Sequence, residues 1–246
     1  MEIGEIISQA FKYPLSDVNA FLKVDLLFLL FVIPLIISIT GLFAQSNSVV
    51  GIGAILGIVC YIIFALIYAG YTVSVMKEGI EQSGLIPSYD IGNNIVNSIK
   101  LWVLSFVYGI IPAIIIFIVA FLVMPSAPTN MNALNGSMSI IFIVALILSI
   151  IFGLFLFVGI LRFANTGSLS EGLSISAVIE DIKAIGIGKL IITYIILAII
   201  AAVILVIGVF IMIIPIVGQI IFFLLILPFT SLALQYGFGL LYSDIA

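Results

Sequence analysis

Three stretches of this chain contain no Asp, Glu, Lys or Arg: Leu26 to Met76, Leu101 to Leu161 and Leu190 to Ser243, runs of 51, 61 and 54 residues. Even the shortest, as one helix, would be about 77 Å long at 1.5 Å per residue, more than twice the roughly 30 Å hydrocarbon core of a bilayer. Each run therefore folds back once. Polar or helix-breaking clusters mark the turns: GLFAQSNSVVG at 41–51, MPSAPTNMNALNGSMS at 124–139 and IIPIVG at 213–218. Three transmembrane hairpins follow, with spans near 22–44, 49–76, 100–124, 139–161, 189–213 and 216–241. Composition requires the same solvent. With 65% apolar and only 7% charged residues, a chain of 246 residues cannot cover a water-facing surface. The expected fold class is an all-α integral membrane protein of six transmembrane helices, a single membrane domain over residues 1–246.

Six spans put both termini on one face, together with the segments 77–99 and 162–188. All seven basic residues (Lys12, Lys23, Lys77, Lys100, Arg162, Lys183 and Lys189) fall on that face or at its border. The positive-inside rule makes it cytoplasmic, which predicts a multi-pass protein of the cell membrane with both termini inside. All eleven acids lie there too. The opening MEIGEIISQAFKY carries two acids and lacks a basic n-region, so the first apolar segment is expected to stay in the mature protein. Asn135-Gly136-Ser137 fits a glycosylation sequon on the outer side but sits close to a span.

An internal repeat is expected, with units at about 1–76, 77–161 and 162–246. Each reads as an interfacial amphipathic helix followed by a transmembrane hairpin. In the first, Ile3, Ile6, Ile7, Ala10 and Phe11 share a face opposite Glu2, Glu5, Gln9 and Lys12. In the second, Ile91, Ile95 and Ile99 oppose Asn93, Asn94, Asn97 and Ser98. In the third, Val178, Ile179, Ile182 and Ile185 oppose Glu180, Asp181 and Lys183. Pro34 and Pro112 fall at similar depth in the first spans of units one and two, where proline kinks a helix. Gly70, Gly159 and Gly237 stand shortly before the charged border at the three hairpin exits.

Several chemistries are excluded. Histidine is absent and Cys60 is the single cysteine, so internal disulfides, Cys/His zinc sites and His-based general base catalysis are ruled out. Seven scattered basic residues make no nucleic-acid face. Glu78 and Glu81 with Asp90, or Glu180 with Asp181, could in principle hold a divalent cation, but water-facing carboxylates are more often simply solvated, and no metal or cofactor is expected. Lys23, Lys100, Arg162 and Lys189 suit membrane-border anchoring to headgroups. Ser168 and Glu171 fit a helix capping box. Within the spans no charged residue is expected, which disfavours ion-coupled transport. Polarity concentrates instead in the last span, where Thr230, Ser231, Gln235 and Tyr236 follow a kink at Pro228, with Gln219 two turns earlier. These side chains either line a cavity or bond neighbouring helices, and helix bonding is favoured. Gly53 and Gly57 form a GxxxG seam for packing within the monomer.

Two loops carry a family resemblance. GYTVSVMKEGIEQSGLIPSYD at 70–90 and LRFANTGSLSEGLSISAVIEDI at 161–182 resemble loops of a multi-pass membrane family, mostly archaeal, classed as a domain of unknown function. The resemblance extends over nearly the whole chain. It implies the helical membrane fold and an archaeal cytoplasmic membrane, with no assigned activity and no catalytic residues. The expected function is a non-catalytic membrane protein, a scaffold or accessory subunit organising lipids or partner proteins. The alternative is a transporter or channel for a small neutral or apolar solute. Membrane lipids are the expected partners, with a partner membrane protein or a second copy of the chain, and no nucleic acid.

Overall fold

The computed structural model describes residues 1–124 and 131–246. Acidic caps start several helices. In α1 (Ile3–Lys12) the Glu2 N–H donates to the Glu5 carboxylate at 3.1 Å, half of a reciprocal capping box. A 3-10 turn at Tyr13–Leu15 leads to α2 (Val18–Phe43), whose cap Asp17 accepts from the Ala20 N–H at 3.0 Å. After α3 (Asn47–Ile80), Asp90 caps α4 (Ile91–Val123) by accepting from the Asn93 N–H at 3.1 Å. There follow α5 (Met131–Thr166), α6 (Leu169–Gly172), α7 (Ile175–Ile185) and α8 (Ile187–Ile211). Gly186, at φ +88°, breaks α7 from α8. The last span is α9 (Val217–Ile221), a π-helical turn at Phe222–Ile226 and α10 (Leu227–Tyr242).

Six of these helical segments are long and apolar enough to cross a membrane, and no strand occurs among the described residues. The middle of the expected turn at 124–139, residues 125–130, lies outside the described residues. Helices overrun the charge-defined spans because nothing breaks them at the border. α3 continues past Lys77 to Ile80, and α5 past Arg162 to Thr166. The same continuity corrects the second repeat unit. Residues 91–99 are not a separate helix but the opening turns of α4, since no proline or glycine interrupts the chain between Asn93 and Lys100. Their polarity is also reversed: Asn94 and Ser98 are buried while Ile91 and Ile99 are exposed.

The chain forms two compact units, residues 1–99 with 182–246, and residues 100–181. In the first, helix backbones approach through glycine. A Cβ at Gly79 would lie 2.3 Å from the Tyr236 carbonyl oxygen, and one at Gly239 2.1 Å from that of Met76, so α3 and α10 touch along their backbones. Gly53 faces Ser38 and Pro34 of α2, with Gly57 also against Pro34, placing the GxxxG seam inside the chain. Gly70 meets the Asn94 carbonyl and donates its N–H to the Ser98 hydroxyl at 2.6 Å. Pro228 has no N–H to give, and the turn ahead of it widens into the π form. The Thr230 hydroxyl donates to the Ile226 carbonyl there at 2.7 Å. In the second unit Leu104, Leu161 and Phe163 are fully buried, and the Tyr108 hydroxyl donates to the Gly172 carbonyl at 3.0 Å.

Candidate functional site

At the charged end of the first unit the chain is tied together. The Met1 ammonium group meets Asp244 at 2.8 Å, and Lys189 donates to the other oxygen of the same carboxylate. Those bonds, that from Lys189 foremost, hold the Asp244 carboxyl below the usual carboxylate range. The loop at 81–90 is strapped by phenols. Tyr13 donates to the Leu85 carbonyl at 2.7 Å, Tyr71 to Pro87 at 2.9 Å and Tyr89 to Val24 at 3.1 Å. The Tyr13 ring stacks on Tyr236 with centroids 3.9 Å apart. Burial pushes the Tyr13 hydroxyl up, with Glu78 adding to it, and pushes Tyr89 up with help from Tyr68 and Asp25. Both phenols therefore stay protonated donors at neutral pH.

Asp25 lies beneath this strap, two turns into α2. It is 6% exposed, between Val24 and Phe28, which are buried as well, and neither carboxylate oxygen has a hydrogen-bond partner. The Tyr68 and Tyr89 phenols are within its electrostatic reach. Their rings belong to one aromatic cluster: Tyr68 stacks on Phe64 at 4.7 Å and meets Phe28 edge-on at 5.0 Å, and Tyr71 lies 4.4 Å from Tyr89. The Tyr68 hydroxyl shares a hydrogen bond with Ser231. α2 begins at Val18 and carries Asp25 inside the helix, so a buried carboxylate stands within the stretch expected near 22–44. A signal was present. Phe21, Val24, Asp25, Phe28 and Val32 recur at the spacing of one helical face, and all five are buried.

The other candidates disperse. Thr230 bonds its own helix and Ser231 bonds Tyr68 on α3. Gln219 donates to the Met212 carbonyl at 3.1 Å, while Tyr236 stacks on Tyr13. The side-chain oxygens of Gln219 and Gln235 are buried without partners. None of these five lines the recess of about 280 Å³ bounded by Leu30, Phe31, Pro34, Gly53, Gly57 and Phe223. Pro34 lies within α2, Pro112 within an unbroken α4 and Pro228 at the start of α10. Lys23 is exposed.

The acids outside the spans have structural tasks. Glu78 bonds Ser83, Glu81 pairs with Lys77 at 3.6 Å, and Asp90 caps α4. No group of three His, Cys, Asp or Glu side chains among the described residues could hold a metal. In the second unit Arg162 pairs with Glu171 at 2.7 Å and Asp181 at 3.0 Å, and Lys100 donates to the Gly167 carbonyl at 3.2 Å. Glu171 is drawn to Arg162 and away from the expected capping box, and the Ser168 hydroxyl bonds Ser170 instead.

The model of a family described only as a protein of unknown function (DUF4013) matches residues 52–213. No curated protein matches the chain, and no solved structure does.

Proposed function

The chain belongs to this family of unknown function, and from its own geometry we propose a non-catalytic multi-pass membrane protein that serves as a scaffold or accessory subunit. The observation that carries this reading is the tied layer at the charged end of the first unit. Met1, Lys189 and Asp244 join the termini, and three phenols fix the 81–90 loop. A loop fixed this firmly presents a constant surface, and Leu85, 68% exposed, stands on it as an apolar contact point. The positions of the basic residues along the sequence, at the ends of the apolar runs, support a cytoplasmic orientation of both termini in the cell membrane. We read the chain as three tandem units, with α1, the opening turns of α4 and α7 as corresponding elements. The occupants of the surface would be lipid headgroups, a partner membrane protein or a second copy of the chain. A photoreactive residue in place of Leu85 tests this in native membranes: a defined protein or lipid adduct is expected, and random labelling would sink the scaffold role.

A second reading, a transporter or channel for a small neutral or apolar solute, draws on the last span. The buried, unpartnered oxygens of Gln219, just before the π-helical turn, and Gln235, farther along α10, are what a polar path along a broken helix would need. Solute flux into proteoliposomes should then fall when Thr230, Ser231 and Gln235 are changed to Ala, and unchanged flux would remove them from any path.

A further inference from the structure

We infer that Asp25 is the anionic centre of a binding site, inside the membrane-spanning part of the first unit, for a small monovalent cation, either the proton or sodium. Packing does not explain this residue. Its face of α2 is otherwise Phe21, Val24, Phe28 and Val32, and an apolar side chain there would avoid the cost of burying a carboxylate that nothing bonds. Among the described residues no lysine or arginine pairs with it, so its charge has to be met by something that arrives from solution.

The surroundings limit what can arrive. Two phenols, Tyr68 from α3 and Tyr89 from the loop, lie within electrostatic reach of Asp25, and Tyr68 in turn meets Ser231 of α10; the acid Glu78 acts on Tyr13, Tyr71 and Tyr236 and not on Asp25. Lys23 on α2 itself is exposed. One carboxylate can neutralise one positive charge, and a divalent ion would need further acids that the described residues do not bring together. Phenol and hydroxyl oxygens can complete the shell of sodium, and a proton needs no shell. The site is independent of the scaffold role, since it would load its cation in either kind of protein.

An apolar carbodiimide tests the site on the full chain in detergent. Dicyclohexylcarbodiimide adds the O–H of a protonated carboxyl across one C=N bond, and the O-acylisourea formed rearranges to a stable N-acylurea with every atom retained. In sodium-free buffer the expected result is one adduct, mapped by mass spectrometry to the peptide holding Asp25 and lost in Asp25→Asn. A water-soluble carbodiimide should modify Glu81 and leave Asp25 untouched. Sodium chloride, compared with choline chloride, separates the two cations. Slowing of the Asp25 reaction by about tenfold or more assigns sodium by mass action, whereas an unchanged rate assigns the proton. Absence of any adduct at Asp25 while Glu81 reacts with the soluble reagent would overturn the inference. All of these readouts except the Asp25→Asn control come from the unsubstituted protein, so the result stands even if that variant fails to fold.

Discussion

In the second unit Arg162 reaches two carboxylates, Glu171 at 2.7 Å and Asp181 at 3.0 Å, whereas in the first unit Asp25 reaches no partner at all. Both are ionisable groups drawn largely out of water. In the Arg162 group one cation is held by two carboxylates of the same unit. Asp25 has no such pairing. The contrast teaches that low exposure alone does not distinguish a structural charge from a functional one, since Asp181 is as poorly exposed as Asp25. What distinguishes them is whether the protein itself supplies the counter-charge.

The comparison can be broken most directly at its two poles. Arg162→Met should cost about 3 kcal/mol, because it leaves Asp181 buried without its partner, whereas Asp25→Asn should cost less than about 1 kcal/mol, since it removes an unpaired group. Chemical unfolding of the two variants in one detergent measures both, and equal losses would erase the distinction. Next in size are the glycine joints. A Cβ at Gly79 would meet backbone at 2.3 Å, while one at Gly159 would meet the Gly172 carbonyl at 2.8 Å and then the movable Tyr108 ring. Gly79→Ala is therefore expected to destabilise by about 2–3 kcal/mol and Gly159→Ala by about half as much, read from thermal midpoints.

Smaller effects sharpen the picture of the strap above Asp25. Tyr89→Phe deletes the bond to the Val24 carbonyl and should cost about 1 kcal/mol. Hydrogen exchange should rise over residues 84–90 and stay unchanged over the Arg162 cluster. The smallest effect is a pH response at the termini. Because Lys189 and the N-terminus hold the Asp244 carboxyl below its ordinary range, its contribution is present above that range and is lost as pH falls through the lowered value. Proteolysis of the N-terminal segment should accelerate on acidification, and Asp244→Asn should show the fast rate at every pH.

Much of the fold could be read before the structure. The six apolar helices followed from three charge-free runs. Asp25 fell inside the span expected near 22–44, yet that span was read as holding no charge. A helix needs only an unbroken backbone, and the cap at Asp17 sets its start at Val18, seven residues before Asp25. Residues 91–99 misled for a related reason. An isoleucine stripe opposite asparagines identifies two faces but not which one turns inward, and Gly70, by letting Asn94 and Ser98 approach, turned the polar face in.

The chain alone thus determined its apolar solvent and the six helices long and apolar enough to cross it. These depend on run length against bilayer thickness and on which residues carry charge, both local properties of the sequence. Only the tertiary structure decided that Arg162 would find two carboxylates and that Asp25 would find none. Partnership is a relation between residues far apart in the chain, and it is settled by which helix backbones come close enough to pack.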